Sequence, residues 1–401
     1  DSGTNILAGG DSGEIIVPGK ADESLLIDMV ITEDGEAMMP PEGEGSLLKS
    51  EQVELLKKWI DQGASFPEDD QPEIDPSDYW SYQPIIRPEI PQQENPPSDN
   101  PIDAFINAKL TEHNLSSVAT AAPETLLRRV YLDLIGLPPT KEQLAAFLSD
   151  PSEEAYGQIV DRLLASPQYG ERWGKHWMDV WRYSDWYGST AAKEIRNSQY
   201  HIWHWRDWII ESLNADKGYD RMLHEMLAAD ELSPNDKDAL RATGYLARSW
   251  YLFNRTTWLI DTVEHANMAF LGITMKCARC HDHKYDPILQ SDYYKFRAIF
   301  EPHDVRTDPF ADEPDIKKKG IPRVYDKEVD APTFLFQRGD ERAPDKENPL
   351  APAVPEFFDS SPFQISEISL PMESQFVQLQ SEFIAAAEEK IKNRIEAAQQ
   401  Q

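Results

Sequence analysis

The sequence is organised around an eleven-residue stretch, Cys277-Ala-Arg-Cys280-His281-Asp-His283-Lys-Tyr-Asp286-Pro287. It contains the only two cysteines of the 401 residues. Two thiols separated by two residues and followed at once by a histidine have the spacing that attaches a c-type haem. Each sulfur can add across one vinyl group of the porphyrin, and the imidazole then binds the iron as proximal ligand. The motif also predicts a helix that begins at Cys280 and directs His281 toward the metal.

Two other interpretations of the motif stay open. A zinc site would use Cys277, Cys280, and His281 or His283, with a distal ligand, although tetrahedral zinc usually takes its ligands from two separated pairs. The plainest interpretation is two reduced thiols beside a structural histidine. His281 and His283 are two positions apart and point to different sides of a helix or turn, so they do not both bind one iron. We expect His283 to donate a hydrogen bond to a haem propionate or to Asp286.

The charge of the chain is strongly acidic, with 39 Lys and Arg against 71 Asp and Glu and a net charge of −32. Nucleic acid is therefore excluded as a partner, because phosphate binding needs clustered cations. A basic redox partner would be attracted to this surface. No apolar run reaches the roughly 18 residues that a membrane span requires. Because c-type haem is attached outside the cytoplasm, we expect a periplasmic or otherwise extracytoplasmic protein.

Composition divides the chain into five segments of a mostly α-helical protein. They are the Gly-rich residues 1–70, a Pro- and acid-rich linker at 71–100, a helical domain at 101–305, an irregular Pro/Asp-rich segment with short strands at 306–370, and a terminal helix at 371–401. The strand-like piece of the fourth segment is Thr333–Phe336. The terminal helix is predicted to carry an apolar stripe that includes Phe376, Leu379 and Ile391. The family resemblance described below implies that it is a connector leading to a further domain.

Apolar periodicity and capping residues predict a series of helices in the 101–305 segment. The predicted helices are Glu124–Ile135, Lys141–Leu148, Glu154–Ala165, Ile202–Leu213, Tyr219–Leu227, Trp258–Phe270 and a short helix from Asp292 to Phe300. Gly136 ends the first of them, and Thr140 is the expected N-cap of the second. The last long helix leads directly into the cysteine motif.

Tryptophans are concentrated between Trp173 and Trp208, where seven of the eleven occur. Trp173, Trp177 and Trp181 recur every four residues, which favours a buried helix face. A haem is also a flat apolar disc, so Trp177 and Trp181 are candidates for the wall of its pocket. Core packing is the favoured interpretation because large aromatic faces normally serve burial.

Two histidines are candidates for the distal haem ligand. His265 shares a helix face with Met268, Ala269 and Gly272, and the small residues of this face, Ala269 and Gly272, would let a planar ring approach. His176 is the alternative, and each of these histidines could equally be a structural residue. Met39, ahead of a diproline, has the setting of the distal methionine of a small cytochrome c. It could also be an ordinary core methionine.

The first segment resembles the C-terminal half of the planctomycete-type cytochrome c domain. The matching residues are Gly9-Gly10-Asp11-Ser12-Gly13, Val17-Pro18-Gly19, Ser24-Leu25-Leu26, Met39-Pro40-Pro41 and Trp59-Ile60-Asp61-Gln62-Gly63-Ala64. The CxxCH of that family would lie upstream of Asp1. The resemblance therefore implies that Met39 binds iron only if a haem domain is completed upstream.

The helical domain resembles the uncharacterised CxxCH-containing domain that follows such cytochromes in secreted multidomain proteins. The resemblance is carried by Leu127-Arg128-Arg129, Gly136-Leu137-Pro138-Pro139-Thr140, Tyr169-Gly170-Glu171-Arg172-Trp173, Arg182-Tyr183-Ser184-Asp185 and Asp282-His283-Lys284-Tyr285-Asp286-Pro287. It implies one haem c on Cys277 and Cys280, and an association with sulfatase and polysaccharide-degradation proteins. It does not imply a reaction.

Three functions follow from these interpretations. The favoured one is electron transfer by a six-coordinate haem, because the chemistry then belongs to the cofactor and no acid–base constellation stands out. The second is an enzyme whose five-coordinate haem handles peroxide or oxidises a substrate. The third is a binding module in which the metal site, for example zinc, is only structural.

Overall fold

The computed structural model describes residues 2–9, 13–31, 39–40, 46–67, 70, 78–92, 100–185, 199–250, 254–358, 364–366 and 368–400. Within these ranges the fold is mostly α-helical, which confirms the predicted class, and carries two antiparallel two-stranded sheets. The helices are α1 Gly3–Ala8, α2 Leu25–Val30, α3 Ser50–Asp61, α4 Pro101–Glu112, α5 Pro123–Ile135, α6 Lys141–Ser149, α7 Glu153–Leu164, α8 Pro167–Val180, α9 Trp203–Asn214, α10 Tyr219–Leu232, α11 Lys237–Leu240, α12 Gly244–Ala247, α13 Arg255–Ala266, α14 Gln290–Ala298, α15 Met372–Gln375 and α16 Ser381–Gln399. The strands are β1 His303–Asp308, β2 Ile321–Asp326, β3 Thr333–Phe336 and β4 Pro344–Leu350.

Helices α1–α3 surround a small core of their own. Its buried members are Ile16, Ala21, Ile27, Ile60 and Ala64. The backbone N–H of Ala21 donates to the Asp61 carboxylate at 2.9 Å, which ties the first loops to α3. Gly63 follows helix α3 with a φ of 100°.

Helices α5, α6 and α7 form a second cluster. It consists of Leu127, Tyr131, Phe147, Ile159 and Leu163 with their half-buried neighbours. Gly136 ends α5 in the left-handed conformation with a φ of 73°. The Thr140 hydroxyl accepts from the Gln143 N–H at 3.2 Å, as its predicted N-cap role requires. These local signals fix the two helix boundaries.

The main core lies between α8, α9, α10, α12, α13 and α14. Its largest fully buried side chains include Trp181, Trp205, Trp208 and Trp258. Helices α8 and α9 can approach closely because Gly170 faces α9, where an added Cβ would lie 2.5 Å from the Ile210 carbonyl oxygen. Trp181, just after α8, is buried in this core and Trp177 packs against it, whereas Trp173 is half-buried outside it.

The chain between α13 and α14 carries the cysteine motif. Helix α13 ends at Ala266 and continues as one π-turn, Asn267–Leu271, and Gly272 then takes the left-handed conformation with a φ of 68°. Strands β1 and β2 pair in register from His303–Asp326 to Asp308–Ile321. The predicted strand Thr333–Phe336 is confirmed as β3, which pairs with β4 and lies against α14.

The terminal segment differs from the single helix that the sequence predicts. It consists of the short α15, a 3₁₀ turn at Val377–Leu379, and α16. Phe376 and Leu379 therefore lie outside the long helix and do not continue its apolar stripe. Ile384, Ile391 and Ile395 of α16 are exposed. In the described part of the chain, no helix combines the length and apolar character that crossing a membrane would take.

Candidate functional site

The cysteine motif folds as a tight turn rather than as the start of a helix. Cys277–Arg279 is a 3₁₀ turn, and the N–H groups of Cys280 and His281 both point at the Cys277 carbonyl, at 3.1 and 3.4 Å. The predicted helix beginning at Cys280 is wrong, because the chain turns away and the next helix starts only at Gln290. The His283 N–H donates to the Ile288 carbonyl at 2.8 Å and closes this loop.

The two thiols are free and lie at the surface end of the turn. Cys277 is exposed, and Cys280 is half-buried. The turn that follows β3 covers the second sulfur, so that a Cβ added at Gly339 would lie 2.5 Å from Cys280 Sγ. Gly339 also has a φ of 76°, which favours glycine. Any larger residue at position 339 would displace the Cys280 sulfur.

His281 is exposed, and its ring is oriented by its own loop. Its Nδ1 lies 2.7 Å from the backbone oxygen of Asp282. A carbonyl oxygen can only accept, so Nδ1 carries the proton and Nε2 keeps its lone pair. Metal-binding histidines have this arrangement, in which a hydrogen bond at one ring nitrogen fixes the tautomer for the other. Two free thiols and an imidazole with an available Nε2 together fit a covalently attached haem.

Helix α14 and strand β3 hold the turn from beneath. The Arg279 carbonyl accepts from the Tyr294 hydroxyl at 2.9 Å and from Gln290 Nε2 at 3.1 Å. The same Gln290 amide donates to the Phe336 carbonyl at 3.1 Å. Ala278 between the cysteines is fully buried. These contacts fix the backbone of the motif, while the side chains of Cys277 and His281 stay exposed.

His283 lies beside Asp286, as the sequence predicts, but its ring accepts a hydrogen bond from Asp286 instead of donating one. Its Nδ1 accepts the Asp286 N–H at 2.9 Å and lies 3.2 Å from the Asp286 carboxylate. The other carboxylate oxygen of Asp286 accepts from the Tyr82 hydroxyl at 2.8 Å. Burial and this hydrogen bond raise the pKa of Tyr82 to about 12. The role of His283 toward a propionate stays a prediction.

Sequence reasoning missed Tyr82, which lies within the predicted linker. A 3₁₀ turn at Trp80–Tyr82 brings it to the motif, and its ring packs on Phe357 with centroids 5.0 Å apart. This part of the linker is thus packed against the site. A short aromatic run in a Pro-rich stretch, Tyr79-Trp80-Ser81-Tyr82, was the available signal.

His265 forms a hydrogen bond with Arg248 that bears on its predicted role as distal ligand. Arg248 Nη2 lies 2.8 Å from His265 Nδ1. A guanidinium can only donate, so Nδ1 accepts and the neutral ring carries its proton on Nε2. Burial and the charges of Arg248 and Arg182 lower the pKa of His265 to about 3. Iron binding through Nε2 would require this proton to leave, and the distal role of His265 stays a prediction.

His176 and the tryptophans of α8 occupy different surroundings. His176 is exposed on α8, with a ring contact to Trp173 at 5.5 Å. Trp181 is buried in the main core, and Trp177 stacks on it with centroids 4.9 Å apart. A haem contact of any of these three stays a prediction.

Met39 lies apart from these residues, in the first segment. It is half-buried, and its N–H donates to the Met29 carbonyl at 3.0 Å. Its neighbour Met38 lies outside the described residues. Among the residues that the structure describes, no three His, Cys, Asp or Glu side chains come together as a metal-binding group. Within those ranges, therefore, no residue joins the motif as a fourth zinc ligand.

These features define a mostly helical protein with a surface CxxCH turn. The family model described as "Protein of unknown function (DUF1549)" matches residues 101–305, just over half of the chain. The chain therefore belongs to this family. The family model "Planctomycete cytochrome C" matches residues 1–43. Both matches confirm the resemblances and their order along the sequence. Searches of curated proteins and of solved structures returned no match.

Proposed function

We propose that the protein is an extracytoplasmic c-type cytochrome that transfers electrons through one haem c on Cys277 and Cys280. The observation that carries the proposal is the tautomer of His281, whose Nδ1 is occupied by the Asp282 carbonyl at 2.7 Å. This leaves Nε2 as the available ligand atom on the residue that follows the two free thiols in sequence. Similarity of residues 1–43 to the planctomycete cytochrome c family supports the same chemistry.

When bound, haem c supplies one-electron exchange at its iron. The residues of this chain hold and orient it. Cys277 and Cys280 tether the porphyrin edge, and the Asp282 carbonyl keeps the His281 ring from rotating. Tyr82 and Asp286 hold the outer loop through their 2.8 Å hydrogen bond. The net charge of −32 would attract a basic redox partner over the last nanometre of approach.

The setting of this activity is part of the proposal. We place the protein in the periplasm or another extracytoplasmic compartment, because covalent haem attachment belongs there. The resemblance of its domains suggests work beside sulfatase and polysaccharide-degradation proteins. Co-purification of such a protein with the natively expressed chain would support this association, and recovery of the chain without one would contradict it.

Gly339 offers a specific test of the attachment site. In Gly339→Ala the new methyl group meets the Cys280 sulfur, so we expect a reduced fraction of chains with covalent haem. Gly272→Ala is the matched control, because its φ of 68° carries similar strain while nothing lies within 4 Å of its Cβ. Haem content per chain, measured as the pyridine haemochrome, is expected to fall only in the first variant. Equal haem content in both variants would place the attachment elsewhere.

A second function, an oxidative enzyme with a five-coordinate haem, is favoured by the Arg248–His265 contact. A histidine whose Nδ1 accepts from arginine at 2.8 Å is poorly suited to bind iron. The ferric spectrum separates the two functions. A low-spin spectrum that turns high-spin in His265→Ala or in His176→Ala identifies a six-coordinate electron carrier. A high-spin spectrum in the unaltered protein, together with reactivity toward peroxide, identifies the enzyme.

A further inference from the structure

Arg248 is a buried cation enclosed by aromatic rings. The residue is only 6% exposed. The guanidinium carbon lies 4.4 Å from the centre of the Tyr245 ring and 5.9 Å from that of Trp205. Its nitrogens donate to the Tyr245 carbonyl and to His265 Nδ1. The positive charge of Arg248 thus lies among aromatic rings and neutral hydrogen-bond acceptors.

None of these neighbours carries a negative charge. Among the described residues, no carboxylate forms an ion pair with Arg248, and the charge of Asp261 acts on it only from further away. Taking an arginine charge out of water costs several kcal/mol when no anion compensates it. Buried charges in proteins are therefore normally paired. A buried guanidinium without a carboxylate partner among the described residues can be compensated by an anion that a ligand brings.

Two further donors accompany Arg248. The Tyr245 hydroxyl is buried and has no hydrogen-bond partner in the described part of the chain. His265 accepts at Nδ1, so its ring proton is on Nε2, where it can be donated. A buried polar atom without a partner calls for a ligand, an ion or a water. One cation and two neutral donors match a group with one negative charge and several acceptor lone pairs.

The surroundings indicate how a ligand would enter. Arg182 is exposed, has a φ of 55°, and its Nη2 lies 3.9 Å from the Met268 sulfur. Its charge lowers the pKa of both Arg248 and His265. The Phe270 ring packs on Tyr245 with centroids 5.0 Å apart and adds apolar surface. The exposed Arg182 would attract an anion, and the aromatic rings would contact its organic part.

We propose that Arg248, Tyr245 and His265 form a binding site for a single carboxylate group. A planar guanidinium binds a carboxylate through two parallel hydrogen bonds, and one buried positive charge matches one negative charge. A dianion such as sulfate would leave excess negative charge in the site. The carboxylate has two sources, a haem propionate or a diffusible organic acid. Only the haem propionate rests on the proposed function. The cysteine motif lies in the same region as the site, because Arg279 of the motif is 4.0 Å from Glu264, which precedes His265.

The test uses the full chain in two forms and acetate as the probe. One form is matured with haem, and the other is the Cys277→Ser/Cys280→Ser double variant, which cannot attach haem. The melting temperature is followed in increasing sodium acetate against sodium chloride of equal ionic strength. A ligand that binds only the folded state stabilises it in proportion to the logarithm of its concentration. We expect acetate to raise the melting temperature of the haem-free form above its value in chloride.

Variants assign the effect to the site. Adding Arg248→Gln to the haem-free form is expected to weaken acetate binding at least about tenfold, as loss of a charged hydrogen-bond donor does. Tyr245→Phe removes one hydroxyl without removing the charge, and is expected to weaken it roughly two- to tenfold. This milder variant keeps the test informative if Arg248→Gln does not fold. Arg221→Gln, at an exposed arginine paired with Glu225, is the control and leaves acetate binding unchanged.

The haem-loaded form distinguishes the two sources. If a propionate occupies the site, acetate has no effect once haem is attached. If the natural ligand is a diffusible acid, acetate stabilises both forms. The proposal is overturned if acetate and chloride act alike on the haem-free form, or if Arg248→Gln and Tyr245→Phe both respond to acetate as the parent does. Because the haem-free form decides this, the outcome does not depend on whether haem attaches to the motif.

Discussion

Two buried arginines of this protein differ in what surrounds their charge. Arg323 on β2 is 3% exposed, and its Nε donates to the Asp308 carboxylate. Its other nitrogens donate to the backbone oxygens of Ser374 at 2.7 Å and of Val324 at 3.2 Å. Arg248 is 6% exposed, and its contacts among the described residues are a carbonyl, a neutral imidazole and two aromatic rings. Burial lowers the pKa of both guanidinium groups, and only for Arg323 does a carboxylate in contact offset it.

This difference distinguishes an arginine whose charge stabilises the fold from an arginine whose charge can bind a ligand. Asp308 neutralises Arg323, and the pair joins β1 and β2 to the segment at Ser374. All of its interactions lie within the chain, so the pair needs nothing further. Arg248 keeps its charge beside aromatic rings, and among the described residues no carboxylate forms an ion pair with it. Three substitutions test this distinction by their effect on the free energy of unfolding.

The largest effect is expected for Asp308→Asn. It leaves the Arg323 charge buried without its carboxylate and also removes the 2.8 Å contact of Asp308 with Arg306. Breaking a buried pair in this way typically costs about 3–5 kcal/mol of unfolding free energy. Chemical denaturation measures it. The control is Asp312→Asn at an exposed ion pair with Lys319, whose loss should change the free energy of unfolding far less because solvent screens exposed pairs. Equal losses in the two variants would remove the distinction between these sites.

Next in size is a pH-dependent gain from Asp230→Asn near Arg323. Burial and the charge of Asp326 raise the pKa of Asp230 to about 7 from an ordinary value of 3.8. A raised carboxyl pKa means that the folded state holds the proton more tightly. Its contribution to stability is therefore present below pH 3.8 and is lost as the pH rises through 7. Asparagine stays neutral, so the variant should be more stable than the parent by a margin roughly 1–3 kcal/mol larger at pH 8 than at pH 5.

Melting curves of the parent and Asp230→Asn across this pH range measure the margin. Asp312→Asn serves again as control, because the contact with Lys319 lowers the pKa of that carboxyl and should give no gain at high pH. A margin for Asp230→Asn that is the same at both pH values would show that Asp230 is ionised throughout. The negative charge of the buried Asp230 would then have to be stabilised by other groups.

The smallest change is expected for Arg248→Met. Replacing an uncompensated buried cation by an apolar side chain of similar length is often neutral or stabilising. We expect the unfolding free energy in chloride buffer to stay within about 1 kcal/mol of the parent or to rise, since the lost hydrogen bonds are offset by the removed charge. Arg323→Met is the matched comparison and should be far more damaging, because it strands Asp308. Similar large losses in both variants would mean that Arg248 is already paired.

The sequence predicted features that depend on neighbouring residues. The helix boundaries at Gly136 and Thr140, strand β3 and the CxxCH spacing are of this kind. It failed where distant segments decide the conformation. The loop closed by His283 and Ile288 replaces the helix expected at Cys280, and Phe376 and Leu379 fall outside the terminal helix.

Long-range contacts of the site could not be read from the sequence. Tyr82 reaches Asp286 across 204 positions, and Gly339 meets Cys280 from a turn after β3. The hydrogen bond from Arg248 to His265 joins two helices, and it decides the tautomer that a lone helical histidine leaves open. Periodicity assigns a residue to a face, but it does not identify which distant side chain lies opposite.

The most direct test of the account is whether haem is covalently attached at the motif. The full chain is produced with the haem-attachment machinery, its pyridine haemochrome is recorded, and the peptide containing Cys277–His281 is identified by mass spectrometry. The account predicts a c-type haemochrome with one haem per chain on that peptide, and none in the Cys277→Ser/Cys280→Ser variant. Unmodified thiols on that peptide, or bound zinc in place of haem, would contradict it.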